Sequence, residues 1–361
     1  MVSADRVPGR PAVSVIVPAR NEQTCLGACL ESLVAQTGVV FEVIVVDDHS
    51  TDRTREIAQS FPGVRVLEAG PLPEGWTGKN NAVTAGARQA RGQWLLFTDA
   101  DTLHLPGSLA RALAEAGARQ VDLLSYSPEQ IVESFWEKAV MPVIFAELAS
   151  AYRPSEVSDP KSSAAAANGQ YLLIKRGTYD SIGGHAAIAS SLLEDVALAL
   201  AVKRSGKRIF FRYGGDQVRT RMYRSFDQLR EGWTKNLALL FPSPGRLALL
   251  RGLEFVLIVL TVAISLRNIV RHLWQPAAAC GLLALGLCGI FYKRIRRAHF
   301  RGDATVLALL GLPLFSGLLL RSKLFHDHGK VSWKGRSYSG RPAVTPLPVS
   351  QEKHGLSHAQ S

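Results

Sequence analysis

The sequence predicts an α/β fold, a Rossmann-like and mainly parallel sheet, followed by C-terminal apolar helices suited to a membrane. Three observations predict it. Short apolar runs alternate with helical patterns through the first half of the chain. Each of those runs stops in polar or acidic residues. After about Pro242 the composition changes to long apolar windows broken by a dense basic loop.

Val13 to Pro18 (VSVIVP) is a β-branched run ended by proline. The segment after it has helical spacing, with Asn21 or Thr24 as plausible caps. Val43 to Val46 repeats the scheme and runs into Asp47 and Asp48, with a helix beginning near Asp52 to Thr54. A third strand, Val64 to Leu67, precedes a glycine-containing loop and a helix from about Asn81 to Ala90. The fourth, Trp94 to Phe97, stops at Asp99-Ala100-Asp101. Such sheets bind ligands at the carboxyl ends of their strands, so both acidic pairs are expected to face one crevice.

Farther along, Gly169 to Arg176 and Lys207 to Arg212 read as strands, and Leu192 to Gly206 as a helix closed by glycine. The run VMPVIFAELASAY is too short to span a bilayer and reads as a core or interfacial helix. Three later windows approach the about 20 residues that spanning requires: Leu247 to Leu266, Pro276 to Tyr292 and Ala304 to Leu320. Arg251 and Glu254 in the first are costly in lipid unless they pair along one helix face. Pro313 and several glycines make the third a candidate for a kinked or re-entrant segment. The 361 residues divide into a flexible N-terminus (1–12), an α/β domain (13–242), a membrane region with about three hydrophobic helices (243–325) and a basic, partly disordered tail (326–361).

The net charge of +12 calls for anionic partners. The cluster Lys293, Arg294, Arg296, Arg297 and Arg301 lies between apolar windows, where basic residues meet lipid headgroups. No basic-aromatic recognition module is visible, so no nucleic acid partner is expected. Four cysteines without zinc spacing read as small buried residues of a reducing compartment. The first residues carry no signal peptide pattern, which leaves the α/β domain on the cytosolic side. The basic loop agrees with two crossings before it. A third crossing would put the basic segment Lys323 to Arg341 outside, against the positive-inside tendency.

Asp99 and Asp101 at one strand end repel unless something positive lies between or beside them; a shared proton is one solution, and a divalent cation that also holds a diphosphate is another. Taken alone, Asp-x-Asp is also the pattern of a surface turn. The stretch GWTGKNNA places Lys79 at a helix start, where N–H groups and an ammonium can hold anionic oxygens, although it is no Walker loop. Glu194 and Asp195 open a helix after Gly183-Gly184-His185, where the helix dipole favours negative charge.

In order, Asp47-Asp48, Gly78-Lys79, Asp99-Ala100-Asp101, Gly169-Gln170 and Glu194-Asp195 resemble glycosyltransferase family 2 with the GT-A fold over Val13 to Trp233. The phrases GWTGKNNA, NGQYLLIKR, LEDVALA and VSWKGRSY resemble its membrane-bound, lipid-glycosylating members: the ceramide glucosyltransferase, carotenoid glycosyltransferase and hopanoid-associated types. The resemblance implies a hexosyltransferase that moves sugar from a nucleotide sugar, a UDP-sugar, to a lipid acceptor with inversion. Donor binding would fall to Pro18, Ala19, Asn21, Glu22, Asp47, Asp48, Lys79 and Asp99. Asp99 and Asp101 would hold Mg2+ or Mn2+, Asp195 would be the general base with Glu194 beside it, and Gly169, Gln170, His185, Arg230 and Trp233 would serve the acceptor region. The expected enzyme is multi-pass in the cell membrane with a cytosolic catalytic domain.

One departure stands out. Processive polysaccharide synthases of the family carry Gln-x-x-Arg-Trp, whereas Gln228, Arg230 and Trp233 are spaced otherwise, which argues against polymer extrusion. An interfacial amphipathic helix anchored by Trp233 is the simpler account of that stretch. A polyprenyl-phosphate sugar synthase is the alternative within the same chemistry. A non-catalytic nucleotide-sugar-binding scaffold is the alternative outside it.

Overall fold

A computed structural model of the chain describes residues 10–338; most of the expected N-terminal segment and the tail from residue 339 onward lie outside the described residues. The first half contains β1 (Val13–Ala19), α1 (Leu26–Val34), β2 (Phe41–Asp47), α2 (Thr54–Gln59), β3 (Val64–Glu68), α3 (Gly78–Gln89) and β4 (Trp94–Phe97). β1 pairs in parallel with β2 and with β4, and β2 with β3. Val13, Val15 and Val17 enter the core beneath α1, while Ile16, Ile44 and Val46 enter the one beneath α3. Both faces are covered, which is why these strands read as unbroken apolar runs.

The second half of the domain adds β5 (Thr102–His104), α4 (Ser108–Ala118), β6 (Leu123–Ser127), β7 (Glu129–Gln130), α5 (Phe135–Ala151), α6 (Pro154–Ser158), β8 (Leu172–Lys175), α7 (Arg176–Ser181), α8 (Glu194–Arg204), β9 (Ile209–Tyr213), β10 (Val218–Thr220) and α9 (Phe226–Leu240). The main sheet runs β3-β2-β1-β4-β8-β6-β9, with β8 antiparallel to its neighbours. The chain leaves β1 toward β2 and β3 and returns to its other side as β4. That reversal opens a crevice at the carboxyl ends of β1 and β4. A small sheet, β5-β10-β7, lies beside it.

Three helices follow: α10 (Pro244–Val270), α11 (Trp274–Ile295) and α12 (Gly302–Asp327), each long and apolar enough to cross a membrane. They differ in how they are held. α10 and α11 pack on each other with 17% of their apolar windows buried, whereas 39% of that of α12 is buried. α12 runs along α5 and α9: Lys138 reaches Asp303 at its start (2.9 Å), Ser322 bonds the Thr234 carbonyl (2.7 Å), and His326 meets the Lys235 carbonyl at its end (2.8 Å). The approach to α5 is close enough that a Cβ on Gly311 would overlap the Ala139 carbonyl. Pro313 sits inside this helix without ending it. Arg251 and Glu254 do pair (3.0 Å), within a four-residue cluster that also joins Arg251 to Glu147 (2.9 Å) and Arg294 to both glutamates (3.1 and 2.8 Å).

Four local expectations need correction. Cys25, not Asn21 or Thr24, precedes α1, because the Asn21 side chain is committed to the Thr51 N–H (2.9 Å). α3 begins at Gly78 rather than near Asn81, capped by Thr77, whose hydroxyl accepts the Asn80 N–H (3.2 Å). Trp233 is no interfacial anchor: it is 2% exposed and packs against Phe145 and Tyr223. The stretch expected to be tail contributes a hairpin, β11 (Val331–Trp333) and β12 (Arg336–Tyr338), which folds back onto the α/β domain.

Candidate active site

The carboxyl ends of β1, β2 and β4 meet the amino ends of α3 and α8 around one cavity of about 1040 Å³. Pro18 and Ala19 at the end of β1, Glu22 after it, Asp48 after β2, Lys79 on α3, and Asp99 and Asp101 after β4 line it. Gly169, Gln170, Glu194 and Asp195 close its far side.

Buried hydroxyls set the Asp99–Asp101 turn. The Thr102 hydroxyl donates to the Asp99 carbonyl (2.7 Å), and the Thr98 hydroxyl to the Gln170 carbonyl (2.8 Å), which ties the turn to the strand beside it. His104 completes this group, and burial pushes it down to about 3, so it is neutral. Asp101 is left in deficit. One of its oxygens is buried without a partner, and burial, then Asp99 and Glu22, push its carboxyl up to about 7.

Lys79 bridges the two acidic groups, 2.6 Å from Asp99 and 2.7 Å from Glu194. Burial disfavours its charge, but the two carboxylates outweigh that and hold the ammonium well above the usual lysine range. Glu194 is lowered in turn, its burial more than offset by Lys79 and Lys235. Asp195 moves the other way: burial and then the Glu194 charge push it up to about 6. The N–H groups of Gly169 (2.9 Å) and Val196 (2.8 Å) hold its two oxygens in place. The two adjacent carboxylates are thus separated in proton affinity by their surroundings.

The cavity continues beyond the acids between Phe145, Leu148, Tyr152, Met222, Trp233 and Leu240 of α5, α9 and the loop before α9, with Arg297 and His299 farther out. One space therefore joins a charged end to an apolar one.

Several expected residues lie elsewhere. Asp47 is buried beneath the crevice and accepts the Ser50 N–H (3.3 Å). Asn21 is exposed beside Thr51. His185 packs behind the acids, bonded to the Tyr179 hydroxyl (3.0 Å) and edge-on to Phe97. Arg230 faces away and pairs with Asp227 (2.8 Å). Among the lining residues not anticipated are Lys235, Trp333, Lys334 and Arg336. The phrase VSWKGRSY contains three of them, but no local pattern tells where a short basic hairpin folds.

Among the described residues no group of three or more His, Cys, Asp or Glu side chains is arranged to hold a metal ion. The partnerless oxygen of Asp101 beside Asp99 nevertheless fits a cation held by one or two carboxylates and completed by phosphate oxygens and water.

Residues 14–180 match the model of Glycosyl transferase family 2. The chain is similar to the 4,4'-diaponeurosporenoate glycosyltransferase of Staphylococcus aureus (strain USA300), 28% identical over 342 residues that cover 91% of this chain and 88% of the relative. Among solved structures it is similar to a mannosyltransferase from Pyrobaculum calidifontis in complex with GDP-Man and Mn2+, with a TM-score of 0.51 and 18% identity over 88% of this chain and 87% of that one. The structural likeness is one of fold.

Proposed function

We propose that this chain, which belongs to glycosyltransferase family 2 through residues 14–180, transfers a hexose from a nucleotide sugar to a lipidic acceptor at the membrane surface, with inversion at the anomeric carbon. The observation that carries the reading is the one cavity in which a cluster of carboxylates and the cations paired with them opens onto an apolar passage. A water-soluble acceptor needs no such passage. A lipid can leave its chain against Phe145, Leu148 and Leu240 while its polar end reaches Asp195. The name of the S. aureus relative, which gives a carotenoid acid as the compound glycosylated, supports the same class.

In this reading Asp48 and Lys79 serve the donor and Asp195 serves the acceptor, all three lining the same cavity. Raised to about 6, Asp195 is ionised at neutral pH yet a stronger base than an ordinary carboxylate. It takes the proton of an acceptor hydroxyl as that oxygen attacks, and a single displacement inverts the centre. Lys79 holds Glu194 and Asp99 in place beside it. Asp101 with Asp99 would hold Mg2+ or Mn2+, which would supply Lewis-acid neutralisation of charge on the departing diphosphate.

A two-crossing arrangement is part of this reading. α10 and α11 form a helical pair that leaves the domain and returns, while both ends of α12 are tied to α5 and α9. With α12 lying along the membrane face, the basic segment after it stays on the cytosolic side and the conflict with the positive-inside tendency disappears.

The test is incubation of membranes holding the full chain with labelled UDP-sugars and GDP-sugars and a lipid extract, followed by mass spectrometry of labelled lipid. Both nucleotides are needed because a UDP-sugar is expected and the solved relative holds GDP-Man. Labelled lipid that vanishes in Asp101→Asn is the expected result. Sugar released only to water, or label unaffected by that substitution, would overturn the reading.

A further inference from the structure

The hairpin β11–β12 lies outside the matched family domain, and no role has been assigned to it. Strands of three residues each cannot hold a two-stranded hairpin in water by themselves. Its order comes from what its turn touches. Lys334 donates to the Arg20 carbonyl (2.9 Å) and pairs with Glu22. The Arg336 guanidinium engages both oxygens of Asp48, with Nη2 2.9 Å from Oδ1. Beneath the turn the Trp333 ring lies 5.1 Å from the ammonium of Lys235, on α9.

The domain has a matching recess. Gly78 opens α3 where a Cβ would overlap the Arg336 guanidinium and crowd Asp48 Oδ2 (2.5 Å), so the absence of a side chain there is what admits the ion pair. Both partner carboxylates stand at the donor end of the crevice, and the Asp48 side chain is only 7% exposed. Without the hairpin that end would present Glu22, Asp48, Asp99 and Asp101 to an incoming diphosphate against Arg20, Lys79 and Lys235, of which Lys79 is already shared with Glu194, a field that stays net negative.

We infer that the Val331–Tyr338 hairpin is a donor latch, in which Arg336 and Lys334 neutralise Asp48 and Glu22 while the crevice lacks donor and turn their N–H groups to the diphosphate oxygens when a nucleotide sugar enters. The exchange frees the Asp48 carboxylate for the hydroxyl and N–H donors of the nucleoside, and two cations cover the most highly charged part of the ligand. A guanidinium suits this exchange because its planar fork fits carboxylate and phosphate oxygens alike. The latch rests on the reading of this crevice as a nucleotide-sugar site. It adds to that reading a binding element whose ligand class is the diphosphate.

The test compares a nucleoside with its diphosphate, uridine with UDP and guanosine with GDP, binding to the full chain in detergent with Mn2+. Variants are Arg336→Ala, Lys334→Ala, Gly78→Ala and Gly78→Ala with Arg336→Ala. Loss of one charge-assisted contact should weaken diphosphate binding about tenfold to a hundredfold in Arg336→Ala, while nucleoside binding holds or tightens because Asp48 is uncovered. Gly78→Ala should displace the guanidinium and crowd Asp48 as well, so it should weaken diphosphate binding at least as much as Arg336→Ala, and adding Arg336→Ala to it should cost diphosphate binding little more. A merely structural hairpin would weaken nucleoside and diphosphate together, which refutes the latch. An unchanged ratio in Arg336→Ala also refutes it. If the unsubstituted chain binds neither diphosphate, the nucleotide-sugar reading itself fails, an outcome separate from both.

Discussion

Replacing Asp195 by Asn changes the charge and the proton affinity of the group while keeping its size. The structure limits what geometry alone can cost: two backbone hydrogen bonds, from Gly169 and Val196, hold the carboxylate. Asn can accept one of them and places its NH2 against the other donor. A lost hydrogen bond to a charged group of this kind is worth about 1.5–3 kcal/mol, about tenfold to a hundredfold in rate. Loss of a general base costs about 10²–10⁴-fold, so a fall well beyond a hundredfold is chemistry rather than displacement. The pH profile adds a second signature. With the Asp195 carboxyl pushed up to about 6, the base is about nine-tenths ionised at pH 7 and about one-tenth at pH 5. kcat/KM of the unsubstituted chain should therefore drop about tenfold over that range, and the limb should vanish in Asp195→Asn. The assay is the initial rate of transfer to lipid in detergent at saturating Mn2+ between pH 5 and pH 8. A variant within tenfold of the parent that keeps the acidic limb would refute Asp195 as the base. Near-full turnover with no limb in either protein would point instead to an acceptor that is already anionic, such as a carboxylate or a phosphate.

Lys79→Met should lower transfer and move the acidic limb to higher pH, because Lys79 is the charge that opposes the upward push on Asp195; a limb that stays put or moves down would contradict this. Glu147→Gln removes one carboxylate from the cluster that holds Arg251 and Arg294, leaving buried cations short of charge at a cost of about 3 kcal/mol or more; thermal unfolding in detergent should show a clear fall, and an unchanged Tm would refute the accounting. In a cysteine-free background, single cysteines at Arg271 and at Lys330 should react with an impermeant maleimide from opposite sides of oriented vesicles, with Gly302 on the side of Lys330; Gly302 and Lys330 on opposite sides would make α12 a true crossing.

The α/β scheme was legible because its signals are local. Unbroken apolar runs such as Val13 to Val17 and Val43 to Val46 are buried on both faces, and each strand ends where its hydrogen-bonded ladder ends, so the acidic residues after β2 and β4 had to share one edge of the sheet. The start of α8 at Glu194 was legible for the same reason: two carboxylates fit a helix amino end. The places of His185 and Arg230 were not legible. A histidine after two glycines reads as exposed, yet the fold turns it inward onto Tyr179 and Phe97. An arginine near an entrance reads as functional, yet an aspartate one helical turn away holds it outside.

The sequence by itself determined the order of the first four strands and the helices between them, the acidic strand ends and three windows apolar enough for a membrane, since each follows from neighbours a few residues apart. Only the tertiary structure decided which carboxylates acquire cations. Arg336 meets Asp48 across 288 residues of sequence, and Lys235 approaches the acids from a helix whose spacing resembled a surface helix. Charge pairing and desolvation act through space, so they depend on how the chain closes on itself and leave no mark in the spacing of residues along it.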